Sequence, residues 1–252
     1  MNPETENPTA SSLSPESARG HRSPDLEASA DPALTADLAL AMMADRSLSS
    51  EVLEQISRNV AVMKSRKVRV ALAAHPRTPR RIALRLIREL YTFDLMQFSL
   101  LSAVAADLKR VADELLVARL ASITLGERIS LARRSSAAVA AALLLDRESR
   151  VWQTALENPR LGEAAVVRVL ARQSASPALV KAICGHARWS VRPEIRMALL
   201  RNEYTPLARA LEFARIPPAQ LRDILHASRL PEKIKAYLRK NLMSGNSGRA
   251  SG

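Results

Sequence analysis

The feature that most constrains this chain is a diverged internal repeat of about 42 residues. Val68-Arg69-Val70-Ala71-Leu72, followed by His75 and Thr78-Pro79, returns as Ile195-Arg196-Met197-Ala198-Leu199, followed by Asn202 and Thr205-Pro206. The offset is 127 residues, close to three periods. Val52-Leu53 and Ile56 match Leu179-Val180 and Ile183 at the same offset, and Leu95 to Leu108 matches Leu221 to Ile234 at 126. Leu125-Gly126-Glu127 recurs as Leu161-Gly162-Glu163. Repeats of this length are supersecondary units that cannot bury their apolar face alone and must stack.

The stacked elements are expected to be helices. Ala, Leu and Arg dominate, aromatics make up 3%, and no long β-branched alternation occurs. Proline and small polar residues punctuate the chain at intervals of one short helix, with proline at first helical turns, where its missing N–H costs nothing. The predicted helices run from Pro32 to Ala44, Ser47 to Ser57 and Lys64 to Ala74, and then in four trios. These are Pro79–Tyr91, Phe93–Ser102 and Ala105–Leu120; Leu125–Arg134, Ser136–Leu145 and Ser149–Glu157; Gly162–Arg172, Pro177–Gly185 and Pro193–Arg201; and Pro206–Arg215, Pro218–Ala227 and Pro231–Leu242. Three helices per 42 residues is the pattern of an armadillo-type unit. The expected fold is all-α, a right-handed α-solenoid of HEAT/armadillo-like repeats over residues 31–242. Residues 1–30 are poor in large apolar side chains and read as an acidic, disordered segment, and residues 243–252 read as a flexible tail.

Charge narrows the partners. The net charge is +13, divided as −5 over residues 1–50 and +18 over residues 51–252. Such a surplus favours acidic or phosphate-bearing partners. Aligning the units on Val68, Leu108, Val151, Ile195 and Ile234 places Arg69, Lys109, Trp152, Arg196 and Lys235 at the next position. If the third helix of each unit lined a groove, these residues would form a row of cations about 10 Å apart, the helix-to-helix spacing. Such a row suits an acidic peptide or a phosphate backbone; as a structural alternative, each cation pairs within the fold. Arg188, Trp189 and Arg192 form a second candidate cluster, two guanidiniums beside an indole. A further register, His75, Asn158, Asn202 and Asn241, reads as helix C-terminal caps, since Asn tolerates the left-handed conformation.

No catalytic or metal motif is present. The four histidines have no ligand spacing, Cys184 is the only cysteine, and there is no glycine-rich phosphate loop. No catalytic residue, metal or cofactor is therefore assigned. No run of 18 apolar residues occurs, so no membrane span is expected, and the N-terminus has no signal-peptide pattern. The cytoplasm is the expected compartment.

Ala155-Leu156-Glu157-Asn158-Pro159-Arg160-Leu161-Gly162-Glu163, then Trp189, then Ile195 to Asn202 and Thr205-Pro206, resembles bacterial proteins built of HEAT-like or leucine-rich-variant helical repeats. The resemblance covers roughly residues 47–242. It implies an α-solenoid and brings no catalytic residues. One enzymatic branch, the alkylpurine DNA glycosylases, holds DNA on a basic HEAT-like face, but its Trp and acid pattern cannot be placed on this sequence. The expected function is a non-enzymatic scaffold or adaptor that binds an acidic protein segment through a basic groove. The alternative is nucleic-acid binding, without sequence preference, through the same face.

Overall fold

The computed structural model describes residues 24–244, except the side chains of Pro218 and of residues 241–244. The disorder expected for residues 1–23, the tail expected over 245–252 and the capping role expected of Asn241 lie outside what is described. The described residues form seventeen helices and no strand, as an all-α fold requires. The chain divides into two compact units, Met1–Ile82 and Ala83–Gly252, where the sequence reading placed one domain over 31–242.

The first unit holds α1 (Pro24–Ala30), α2 (Ala36–Met42), α3 (Ser50–Arg58), α4 (Val60–Met63) and α5 (Arg66–Ala74). Two of these were not expected. α1 falls within the segment read as disordered. Asp25 and Glu27 in its first turn favour the positive end of the helix. It packs on α3 and its Ser29 is fully buried, so tertiary contact supplies what the weak apolar content of the segment does not. α4 is a single turn, started by Asn59, whose side chain accepts from the Ala61 and Val62 amides. Val52, Leu53 and Ile56 of α3, Val62 of α4 and Val68 and Leu72 of α5 are all buried.

α6 (Arg80–Glu89) crosses the division between the units. The second unit continues with α7 (Thr92–Leu100), α8 (Ala106–Arg119), α9 (Leu125–Arg134), α10 (Ala137–Leu143), α11 (Ser149–Leu156), α12 (Glu163–Ala171), α13 (Pro177–Gly185), α14 (Pro193–Arg201), α15 (Leu207–Phe213), α16 (Pro218–His226) and α17 (Glu232–Ser244). Local chemistry fixes the starts. Thr124 and Glu127 form a reciprocal capping box on α9. Ser136 and Ser176 accept from the Val139 and Leu179 amides, and Pro177, Pro193 and Pro218 occupy first turns.

Helices in this unit pack on sequential neighbours, α7 on α8, α9 on α10, α10 on α11, α14 on α15 and α16 on α17, and on second neighbours as well. α8 lies on α10, α9 on α11, α10 on α12, α11 on α13, α12 on α14, α14 on α16 and α15 on α17. Within the expected trio of α9, α10 and α11 every helix packs on the other two, and α12 packs on α14, while α8 on α10, α10 on α12 and α14 on α16 carry the packing onward.

Candidate functional site

Most helices here lack a glycine cap. His75 and Asn202, the C-caps of α5 and α14, have φ of −69° and −93°, so neither is left-handed as the sequence reading supposed. Their side chains do the capping instead. In the first unit, His75 Nε2 lies 3.0 Å from the Asp45 carbonyl and Nδ1 accepts from the Arg77 amide. In the second unit, buried Asn158 donates to the Ala132 carbonyl at 2.8 Å, at the end of α9, and accepts from the Arg160 amide. Asn202 donates to the Leu170 carbonyl at the end of α12 and accepts from the Tyr204 amide. Ser228 donates to the Leu200 carbonyl at the end of α14 and accepts from the Leu230 amide. Asn158, Asn202 and Ser228 each tie their own turn to the end of the helix two earlier, satisfying carbonyls that a helix end leaves open.

Arginines extend the device. Arg119 donates to the Leu90 and Arg88 carbonyls, Arg160 to the Arg134 carbonyl, and Arg188 to the Asn158 and Leu161 carbonyls. Arg188 also stacks 4.2 Å from the ring centre of Trp189, whose indole N–H donates to the Leu156 carbonyl. Arg192 lies 3.7 Å from Glu163, and His186 Nε2 is 3.1 Å from Glu157. Arg188 and Trp189 are therefore committed to holding α13 against α11. Trp189 is 1% exposed and offers no face to a base or phosphate.

The aligned row of Arg69, Lys109, Trp152, Arg196 and Lys235 does not form one open line. Arg69 belongs to the first unit and the other four to the second. Trp152 is 5% and Lys235 9% exposed, and Lys235 Nζ pairs with Glu232 at 2.9 Å. Arg196 is half-buried, donates to the Ser190 carbonyl at 2.7 Å and lies over Phe213. The physical reason is helical phase. On α11 the buried stripe is Val151, Trp152, Ala155 and Leu156, so the position after the aligned apolar residue is itself on the core face.

Lys109 borders a cleft. This opening of about 610 Å³ is lined by Lys109, Arg110, Asp113, Glu114 and Val117 of α8 and Ala138 of α10, among others. Burial pushes the Asp113 carboxyl above the ordinary aspartate value, against the lowering effect of the Ser136 and Ser99 hydroxyls. A raised folded pKa means that the native state holds this proton more tightly than the unfolded chain. The resulting contribution favours folding at low pH and is lost as pH rises above about 3.8. Asp113→Asn should therefore leave the protein as stable as the wild type, or more so by up to about 1 kcal/mol, at neutral pH. The difference should fade toward pH 4. Thermal unfolding of both forms across that range checks it, and a loss of stability at neutral pH would contradict the assignment.

A further exposed cationic feature lies on α12, α14 and just after α16. Arg168 and Arg172 at the end of α12, Arg201 in the last turn of α14 and Arg229 just after α16 are all exposed, on three helices packed in succession. The sequence reading missed them because it followed positions one after an aligned apolar residue, and these stand at helix ends. The available signal was the basic last turn, which complements the negative end of the helix dipole.

Among the described residues no group of three or more His, Cys, Asp or Glu side chains is arranged to hold a metal ion. Cys184 is buried, and burial lifts its thiol to about 11, leaving it protonated at neutral pH. No described helix is long and apolar enough to cross a membrane. No protein-family model matches the chain, and comparison with curated proteins and with solved structures found no similar protein.

Proposed function

We propose that this chain is a non-enzymatic cytoplasmic scaffold or adaptor, an α-solenoid of HEAT/armadillo-like kind, that binds an acidic protein segment. The observation that supports this reading is the arginine edge of Arg168, Arg172, Arg201 and Arg229, set on helices that lie side by side. The Lys109 cleft is a weaker candidate for the same role. Asp113 and Glu114 share it, and Arg110 lies 3.9 Å from Glu114, so its charges largely cancel.

A phosphate backbone is the second reading, favoured by the +18 of residues 51–252. It has less support, because Trp152 and Trp189 are both buried and neither can stack on a base. The same burial leaves the glycosylase comparison without an indole to present.

The test uses a fluorescein-labelled hexaglutamate peptide and the full chain at about 50 mM salt, where charge contacts are strong. Wild type should bind, and Arg168→Glu with Arg172→Glu should weaken binding by at least about tenfold, or 1.4 kcal/mol, with helicity unchanged. A chain that ignores hexaglutamate but shifts short DNA or RNA with steep salt dependence would replace this reading with the second.

A further inference from the structure

The arginine edge contains a built feature. At the ends of α12, α14 and α16 the surface sinks into a notch of about 220 Å³. Leu170, Ala171, Ala198 and Ala227 supply carbon to its walls, and Arg201 and Arg229 supply charge. We propose that this notch is a carboxylate-recognition subsite that takes one Glu or Asp side chain of the bound segment. The proposal rests on the reading of the chain as a binder of acidic protein.

Helix C-termini ordinarily repel anions, because their last carbonyls point outward. Here the last two carbonyl oxygens of α12 and of α14 are already engaged. The Leu170 carbonyl accepts from Asn202 at 2.8 Å, the Leu200 carbonyl from Ser228 at 2.8 Å and the Arg201 carbonyl from the Arg229 amide at 3.0 Å. The Ala171 carbonyl accepts from Arg229 Nη2 at a long 3.4 Å, which leaves most of that guanidinium's donors for a ligand. The groups that close the stack thus satisfy carbonyl oxygens beside the notch, and the two arginines offset what remains of the negative helix ends.

The walls decide between anions. Alanines leave room for the methylene stem of an acidic side chain, and a largely carbon lining strengthens the ion pair at its head. A guanidinium offers two parallel N–H donors to a carboxylate. A nucleic-acid backbone carries its charges on a convex ridge and gains nothing from a small recess between cations, so the acidic side chain is the better fit.

Two variants separate recognition from bulk charge. Arg201→Lys keeps the charge and loses the fork. Ala227→Leu keeps every charge and fills the recess at an exposed position. Each should weaken hexaglutamate binding roughly 3- to 10-fold by fluorescence anisotropy, while melting temperature and the lack of response to hexaglutamine stay unchanged. If both bind as wild type does, while Arg168→Glu with Arg172→Glu still loses the peptide, the subsite is wrong and the broader reading stands. If wild type does not bind hexaglutamate at all, both are overturned.

Discussion

Trp189→Ala should destabilise the second unit by about 3–5 kcal/mol, the range for removing a large buried aromatic. Trp189 is among the largest fully buried side chains. It stands between helices α13 and α14 and anchors their connection to the end of α11. Three losses coincide. A cavity opens where the indole was, the Leu156 carbonyl loses its donor at 3.0 Å, and Arg188 loses the ring on which it stacks while reaching the Asn158 and Leu161 carbonyls. Trp189→Phe separates the terms. It keeps a ring in the site and removes the N–H together with part of the indole's volume, so it should cost less, about 1–3 kcal/mol. Urea unfolding followed by far-UV circular dichroism measures both. An alanine variant within about 1 kcal/mol of wild type would show that this connection does not hold α13 to α11.

The helices were largely legible because their punctuation is local. The sequence reading and the structure agree on both ends of α9, α13 and α14, where a capping box or a first-turn proline marks the start. The α1 helix was missed because its stability comes from α3 and not from its own composition. The contacts between second neighbours were not legible for a related reason. A period of 42 gives the length of a repeating unit, but not which faces meet. The Asn and His register was recognised as capping, yet the reach of Asn158 and Asn202 to a helix two elements earlier depends on that same packing. The proposed cation row failed at Trp152 and Lys235 because alignment by residue type does not fix rotational phase. Ile234 was taken as the core position, whereas the structure buries Lys235 and Leu238. Exposure of the arginine edge was within reach of sequence reasoning, since basic last turns recur in α9, α12 and α14. Their side-by-side placement on α12, α14 and after α16 was not.

Asn158→Asp should be the most damaging conservative change in the protein, and its effect should depend on pH. Asn158 is fully buried. Its amide nitrogen donates to the Ala132 carbonyl at 2.8 Å and the Ser135 carbonyl at 3.3 Å, while its oxygen accepts from the Arg160 amide at 2.8 Å. Aspartate keeps the acceptor but turns a second, ionised oxygen toward two carbonyl oxygens in a buried site. That arrangement should cost about 3–5 kcal/mol at neutral pH, as an uncompensated buried charge does. Asn158→Ala loses the same bonds without adding charge and should cost less, about 1–3 kcal/mol. The order should close or invert on acidification. Repulsion and burial raise the new carboxyl's folded pKa above its unfolded value of about 3.9. The native state then binds the proton more tightly, so stability relative to Asn158→Ala is greatest at low pH and falls as pH rises from about 3.9 through the folded value. Once protonated, the acid again has one hydrogen to donate to the Ala132 carbonyl. Comparing the two variants at pH 4 and pH 7.5 cancels the titration of every other group. An aspartate variant as stable as wild type at neutral pH would mean that residue 158 does not bridge α11 to α9.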